Sequence, residues 1–127
     1  MKILANDGIS KSGVIALTED GHEVITTNVS QEQLVNFINE NKITVLLVRS
    51  ATNARKELID SCPNLKIIGR GGVGMDNIDV EYAREKGLHV INTPSASSQS
   101  VAELVFSHLF SMVRYTYHSN RTMPLEG

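Results

Sequence analysis

The sequence predicts an α/β fold, a flavodoxin-like, doubly wound five-strand parallel sheet followed by a long C-terminal connector helix. The first observation is that short β-rich runs alternate with helix-like stretches up to residue 92. The second is that "TVLLV" and "KIIG" are apolar without alternation, which is typical of central strands covered by helices on both faces. Because parallel strands need right-handed crossovers, these runs favour a doubly wound sheet.

The predicted strands are the runs in which apolar and β-branched residues concentrate between turn formers. They cover residues 2–6, 22–27, 44–50, 65–69 and 89–92. Helices are predicted between them, at about 11–18, 31–42, 54–61 and 79–86. Ser30 and Gln33 have the spacing of a capping box at the start of the second helix, and Asp79 has the character of an N-cap for the fourth.

The C-terminal third differs from the crossover helices in length. From Gln99 onward we expect about 20 helical residues, on the order of 30 Å. One face carries an apolar stripe, and Phe106 and Phe110 lie outside it, so more than one face needs cover. One interpretation is a helix that closes the sheet; the one we favour is a helix that packs on a part of a larger protein outside this chain, so that the polypeptide is truncated.

Composition limits the classes of partner. The chain has 127 residues, of which 41% are hydrophobic, enough for one globular core. A formal net charge of -2 gives no general attraction to nucleic acid or to anionic membranes. A single cysteine, Cys62, excludes an internal disulfide, and the N-terminus has no apolar run that suits a signal peptide or membrane span. We therefore expect a cytoplasmic protein that binds neither nucleic acid nor membrane.

The stretch "GRGGVG", residues 69–74, matches the G-x-G-x-x-G pattern of dinucleotide-binding loops. That pattern requires a helix at the third glycine and an acidic residue about 20 positions further on. Here "MDNID" follows Gly74, so the helix is expected only at Val80, and Asn92 stands where the carboxylate should be. Two interpretations stay open: a loop whose amides bind a smaller anion, and a tight turn that needs positive φ at Gly72 or Gly74.

Several motifs resemble the N-terminal region of the D-isomer-specific 2-hydroxyacid dehydrogenases. They are "VRSAT", then "GRGGVGMDNID", "INTP" and "QSVAEL", in the family's order and across essentially the whole chain. The resemblance is closest to the branch that oxidises 3-phosphoglycerate with NAD in serine synthesis. It implies a flavodoxin-like substrate domain over residues 1–96, and over 97–127 the interdomain helix and the start of a nucleotide-binding domain that is otherwise absent.

The resemblance also implies site residues. Gly72, Val73 and Gly74 match a loop whose amides hold the substrate carboxylate, and Arg49 and Ser50 match a strand-end pair that holds a substrate phosphate. From the residues alone, Arg49 also reads as a solvated charge at a strand end.

Further positions follow from the same comparison. Ser97 stands where relatives often carry a substrate-contacting Asn, and Val101 would border the nicotinamide. Residues 92–94 resemble one of the two interdomain hinge strands, and Glu103 is expected to anchor the helix. Arg70 is assigned no role, because a side chain at that place can point away.

No catalytic residue and no metal site are predicted in this chain. In the family, the His base, its Glu partner and an Arg that clamps the carboxylate belong to the nucleotide domain or its return segment. We interpret all four histidines as surface or packing residues, Cys62 as a buried or capping thiol, and Asp7 and Asp60 as isolated acids. The chain alone is therefore expected to be inactive. In the intact enzyme it would act with NAD, a phosphorylated 2-hydroxy acid, the nucleotide domain and further subunits of a homo-oligomer.

Alternatives within the family are a glyoxylate or hydroxypyruvate reductase and a phosphoerythronate dehydrogenase. A phosphoacceptor receiver domain shares the five-strand layout, but it needs an Asp after strand 3 and a Lys after strand 5. Arg49 with Ser50, and Asn92, occupy those places. A non-enzymatic interaction module that docks through the C-terminal helix is left open by the sequence.

Overall fold

The computed structural model describes residues 1–126 and contains a five-stranded sheet in which every neighbouring pair is parallel. The strands are β1 (Lys2–Ala5), β2 (Glu23–Ile25), β3 (Val45–Val48), β4 (Ile67–Arg70) and β5 (His89–Asn92). Their order in the sheet is β2-β1-β3-β4-β5. The predicted flavodoxin-like sheet is confirmed, and each strand is at the predicted place, although four of the five are shorter at one end or both.

Helices connect the strands as predicted. They are α1 (Lys11–Glu19), α2 (Gln31–Glu40), α3 (Lys56–Ser61) and α4 (Val80–Glu85), and α5 (Ser98–Val113) and α6 (Thr116–Glu126) follow β5. The chain divides into two compact units, the first from Met1 to Thr93 and the second beginning at Pro94.

The core of the first unit is built on one row of strand residues. Leu4, Leu46 and Ile68 stand side by side on the three central strands, and all three are fully buried. Side chains of α2, α3 and α4 complete the same cluster, among them Leu34, Ile38, Leu58 and Ala83. Burial of these apolar side chains holds the helices on the sheet and places the loops at its carboxyl edge.

Gly69, the first glycine of the G-x-G-x-x-G pattern, is a strand residue. It pairs with Leu47 on β3 and Ile91 on β5. A β-carbon at Gly69 would lie 2.8 Å from Leu47 Cδ2 and 3.4 Å from Ile91 Cγ1. Glycine at this position therefore makes room for two neighbouring side chains within the sheet.

Two helix starts differ in detail from the prediction. Ser30 is the N-cap of α2, but its side chain makes no capping bond, because Gln33 N donates instead to the Ser30 carbonyl (3.0 Å). The predicted capping box is wrong in that respect. Asp79 precedes α4 as predicted, yet its carboxylate accepts from Lys56 N (2.9 Å) and Arg55 Nη1 (3.0 Å), at the start of α3. The Arg55 hydrogen bond holds the pKa of Asp79 below its usual range.

The predicted single C-terminal helix of about 20 residues is wrong, because the structure has two helices. The 16-residue α5 ends at Val113, and Tyr115 adopts a φ of 52°, which no residue of a continuous α-helix has. Along α5 no residue is buried. Within residues 1–126, no helix combines the length and apolar character needed to cross a membrane.

Cys62 at the end of α3 should be nearly inert in the native protein. Its side chain lies in the core cluster, and burial raises the pKa of the thiol to about 11. We expect labelling by a disulfide reagent at pH 8 to be roughly two orders of magnitude slower than for a free cysteine, because the thiolate is the reacting species. Labelling in guanidinium is the control, and fast stoichiometric labelling of the folded chain would contradict this packing.

Candidate functional site

Polar residues gather where the strands end. Parallel strands present their carboxyl ends at one edge of the sheet, which is where α/β proteins bind ligands. At this edge lie Asn6 and Asp7 after β1, the segment 49–52 after β3, the segment 71–77 after β4 and Thr93 after β5. Hydrogen bonds between side chains and backbone groups connect these loops.

Asn6 connects three of the loops from a buried position. Its side chain donates to the Val29 carbonyl (3.0 Å) and to Thr52 Oγ1 (2.8 Å), and its Oδ1 accepts from Val29 N (2.8 Å). The side chain thus bonds to the backbone of the segment after β2, where the pairing of β1 with β2 has ended.

The Asp7 carboxylate binds the segment after β3. Oδ2 accepts from Arg49 N (2.6 Å) and Thr52 N (3.1 Å), and Oδ1 accepts from Thr52 Oγ1 (2.5 Å). Burial raises the pKa of Asp7, but the bonds from Thr52 and the amides of Arg49 and Ala51 outweigh it, so the pKa lies below its usual range. Interpreting Asp7 as an isolated acid was wrong; its place at a strand's carboxyl end was the signal available in the sequence.

Asp60 is not isolated either. It accepts a hydrogen bond from Tyr82 Oη (2.7 Å) and forms an ion pair with Lys86 (2.7 Å). These contacts join α3 to α4 at the surface, and the Lys86 bond is the main reason why the pKa of Asp60 is lowered.

Arg49 is held by its main chain and free at its side chain. Its carbonyl accepts from Asn77 Nδ2 (2.8 Å) and Arg70 Nε (3.3 Å), and its amide donates to Asp7. The side chain is exposed and makes no ion pair or hydrogen bond within residues 1–126. The guanidinium therefore keeps its planar set of donors for another group.

The glycine loop after β4 offers two amides rather than three. Gly72 N donates to Thr93 Oγ1 (2.9 Å), and Asn92 Nδ2 donates to the Val73 carbonyl (2.7 Å). In the part of the chain that the structure describes, the amides of Val73 and Gly74 have no hydrogen-bond partner. Asn92, the last residue of β5, and Thr93, which follows it, thus fix this loop and leave two donors open.

One interpretation of the loop required a positive φ at Gly72 or Gly74; Gly72 has one (157°), and Gly74 does not. A β-carbon there would instead lie 2.8 Å from Asp76 Oδ1 and 3.1 Å from Arg70 Nη1. Close approach of side chains, and not backbone conformation, favours glycine at this position.

Arg70 joins the two loops, which the sequence did not reveal. Besides donating to the Arg49 carbonyl, its Nη1 donates to the Gly74 carbonyl in a short contact. The sequence does not indicate which way the Arg70 side chain points. The two carbonyl groups that it reaches lie 21 positions before it and four positions after it.

The family follows from comparison with known proteins. The family model described as "D-isomer specific 2-hydroxyacid dehydrogenase, catalytic domain" matches residues 3–122. The chain belongs to the D-isomer-specific 2-hydroxyacid dehydrogenases.

Relatives within this dehydrogenase family differ in the activity they are named for. The chain is 42% identical over 114 residues to a D-3-phosphoglycerate dehydrogenase of Methanocaldococcus jannaschii, covering 90% of this chain and 21% of the relative. It is 39% identical over 115 residues to a hydroxypyruvate reductase of Thermotoga maritima, covering 90% and 37%. The solved structure of NAD+-bound 3-phosphoglycerate dehydrogenase of Entamoeba histolytica matches with a TM-score of 0.69 and 30% identity, covering 87% of this chain and 38% of that one. The chain thus spans well under half the length of these dehydrogenases.

The other two predicted site residues, Ser97 and Val101, lie in the second unit. Ser97 is the N-cap of α5 without a side-chain bond, and Val101 is exposed in the first turn. Glu103 accepts from Gln99 Nε2 (2.8 Å) one turn earlier on the same helix. Among the described residues, no three His, Cys, Asp or Glu side chains form a group that could hold a metal ion.

A matched pair of variants tests whether Gly69 and Gly74 differ in how tightly their surroundings are packed. Gly69→Val should lower the free energy of unfolding by about 1–3 kcal/mol, because it overpacks the row between Leu47 and Ile91. Gly74→Val should cost less than about 1 kcal/mol, since the atoms it meets end flexible side chains. Urea unfolding of both variants measures this. Equal losses would show that the glycine loop is as tightly packed as the strand.

Proposed function

We propose that this chain is the substrate-domain portion of an NAD-dependent D-3-phosphoglycerate dehydrogenase, which oxidises 3-phospho-D-glycerate to 3-phosphohydroxypyruvate in serine biosynthesis. The observation that carries the proposal is a pair of anion-binding groups on neighbouring strands: the free guanidinium after β3 and the two free amides after β4. Neighbouring strands lie about 5 Å apart. A three-carbon acid with a carboxylate at one end and a phosphate at the other fits that separation.

The amides of Val73 and Gly74 are the proposed carboxylate ligands. A carboxylate accepts well from adjacent backbone amides, and glycine lets it approach closely. Gly72 belongs to this loop through its bond to Thr93, which holds the loop in shape and removes its own amide from the set of donors.

The phosphate is assigned to Arg49 and Ser50. A guanidinium binds phosphate oxygens in a planar, two-pronged manner, and the bond is charge-assisted. The Ser50 hydroxyl, exposed beside it, supplies a further donor.

The glycine pattern does not fit the cofactor of the reaction. Gly69 is inside a strand, Gly72 N is bonded to Thr93, and α4 begins only at Val80, so no helix N-terminus meets a pyrophosphate there. We place the main NAD site, the catalytic base and the subunit contacts of a homo-oligomer outside this chain. In the intact enzyme NAD would accept the hydride from C2 of the substrate. Residues 1–96 would bind and orient the acid, and residues 97–127 would lead into the nucleotide domain. Ser97 would border the substrate, and Val101 would border the nicotinamide.

A second candidate is supported by the hydroxypyruvate reductase of Thermotoga maritima, which is nearly as similar as the phosphoglycerate dehydrogenase. Its name specifies a substrate without a phosphate. The two candidates therefore differ in whether the substrate carries a phosphate for Arg49 to bind.

Arg49→Ala decides between them in a full-length enzyme that carries this segment. The KM for 3-phosphoglycerate should rise about 10- to 150-fold, because a lost charge-assisted contact costs about 1.5–3 kcal/mol. D-glycerate should be much less affected, and Arg84→Ala on α4 is the control. Equal losses for both substrates would assign Arg49 to the carboxylate or to the fold.

The chain of 127 residues should neither bind NADH tightly nor oxidise 3-phosphoglycerate, because its glycine loop does not fit a dinucleotide. Fluorescence titration with NADH and a turnover assay measure this, with a complete dehydrogenase as the positive control. Saturable binding at micromolar NADH would overturn the interpretation of the loop.

A further inference from the structure

We propose that Asp7 is a positioning residue for phosphate recognition: its carboxylate fixes the main chain of residues 49–52 and thereby holds Arg49 and Ser50 in place. The proposal rests on the function proposed above for that pair. Asp7 itself is expected to make no contact with the substrate.

Three hydrogen bonds concentrate on one carboxylate. They come from the amides of Arg49 and Thr52 and from the Thr52 hydroxyl, at 2.5–3.1 Å. Pairing of β1 with β3, which continues through Asn6 N and the Leu47 carbonyl (3.0 Å), brings Asp7 next to this segment. The contact between Asp7 and residues 49–52 is therefore set by the register of β1 against β3.

Both the amide and the carbonyl of Arg49 are hydrogen-bonded. Asp7 accepts from its amide, while Asn77 and Arg70 donate to its carbonyl. Because the Arg49 side chain has no hydrogen-bond partner within residues 1–126, the position of its guanidinium depends on the main chain that these bonds hold. Without Asp7, only the carbonyl side of this arrangement persists.

Asp7 also occupies backbone donors that an oxyanion would otherwise use. Within residues 1–126, the amides of Val73 and Gly74 after β4 have no hydrogen-bond partner, whereas those of Arg49 and Thr52 donate to Asp7. A phosphate at the end of β3 cannot use these two amides, so it depends more on the Arg49 and Ser50 side chains. This makes phosphate affinity depend on the segment's conformation more strongly than carboxylate affinity does.

Asp7→Asn tests the role with little change in shape. An amide oxygen can replace one carboxylate oxygen, but the NH₂ group must then face either the Arg49 and Thr52 amides or the Thr52 hydroxyl, which already accepts from Asn6. At least one of the three bonds is lost in either orientation. Glu40→Gln, which neutralises an exposed carboxylate at the end of α2, is the matched control.

The measurements use ¹⁵N-labelled chain of 127 residues, titrated with 3-phosphoglycerate and separately with D-glycerate. In Asp7→Asn we expect hydrogen exchange of the Arg49 and Thr52 amides to be about tenfold faster and 3-phosphoglycerate binding about tenfold weaker, with D-glycerate shifts at Val73 and Gly74 unchanged. Glu40→Gln should match the wild type in all three. Thr52→Val removes the hydroxyl that donates to Asp7 and accepts from Asn6, but it keeps both amide bonds to Asp7, so it should give an effect of the same kind.

Three outcomes would overturn the proposal. Exchange and affinity within twofold of the control would show that Asp7 does not hold the segment, and equal weakening of both ligands would show general loosening of the fold. Stronger phosphate binding in Asp7→Asn would show that its charge, and not its positioning, governs the site. A wild-type chain that binds both ligands equally would instead remove the phosphate role of Arg49 and Ser50, a failure of the proposed function that is visible before any variant is made.

Discussion

The loops at the carboxyl edge of the sheet depend on the hydrogen bonds of one buried residue, Thr52. Its hydroxyl accepts from Asn6 and donates to Asp7, its amide donates to Asp7, and its carbonyl accepts from Asn77. Three partners from the loops after β1 and β4 therefore meet at a single threonine after β3. Because buried polar groups are costly when unpaired, this arrangement stabilises one relative position of the three loops.

That constraint explains how an open edge of a small sheet can present anion-binding groups. Side chains of Asn6, Asp7 and Asn77 satisfy the inner backbone groups, and Asn92 and Thr93 hold the glycine loop from the other side. Among the described residues, the groups at this edge without a hydrogen-bond partner include the Arg49 guanidinium, the amides of Val73 and Gly74, and the buried Asn77 Oδ1. The protein groups that we propose to bind the substrate are thus among those that make no hydrogen bond within the described chain.

Three of the four glycines in "GRGGVG", Gly69, Gly72 and Gly74, show why a pattern of letters does not determine a site. Gly69 makes room for Leu47 and Ile91 in the sheet, Gly72 is bonded to Thr93, and Gly74 leaves space for Asp76 and Arg70. A dinucleotide loop needs its glycines next to a helix N-terminus, and here α4 starts too late. The sequence already carried this information in "MDNID", whose turn-forming residues delay the helix.

By itself, the sequence determined the parallel sheet, the places of the strands and crossover helices, and the family, because apolar periodicity and contiguous motifs are local properties. It also placed Arg49, Ser50 and the glycine loop at strand ends, where ligands bind in such sheets. Only the tertiary structure decided the partners of Asp7, Arg70 and Asn77, since most of the groups they bond lie more than twenty residues away along the chain. It also decided that the Ser30 side chain does not cap α2 and that the C-terminal helix breaks at Tyr115. These details depend on which acceptor a given donor meets and on which backbone conformation a residue adopts in the folded chain. The periodicity of apolar residues does not encode either.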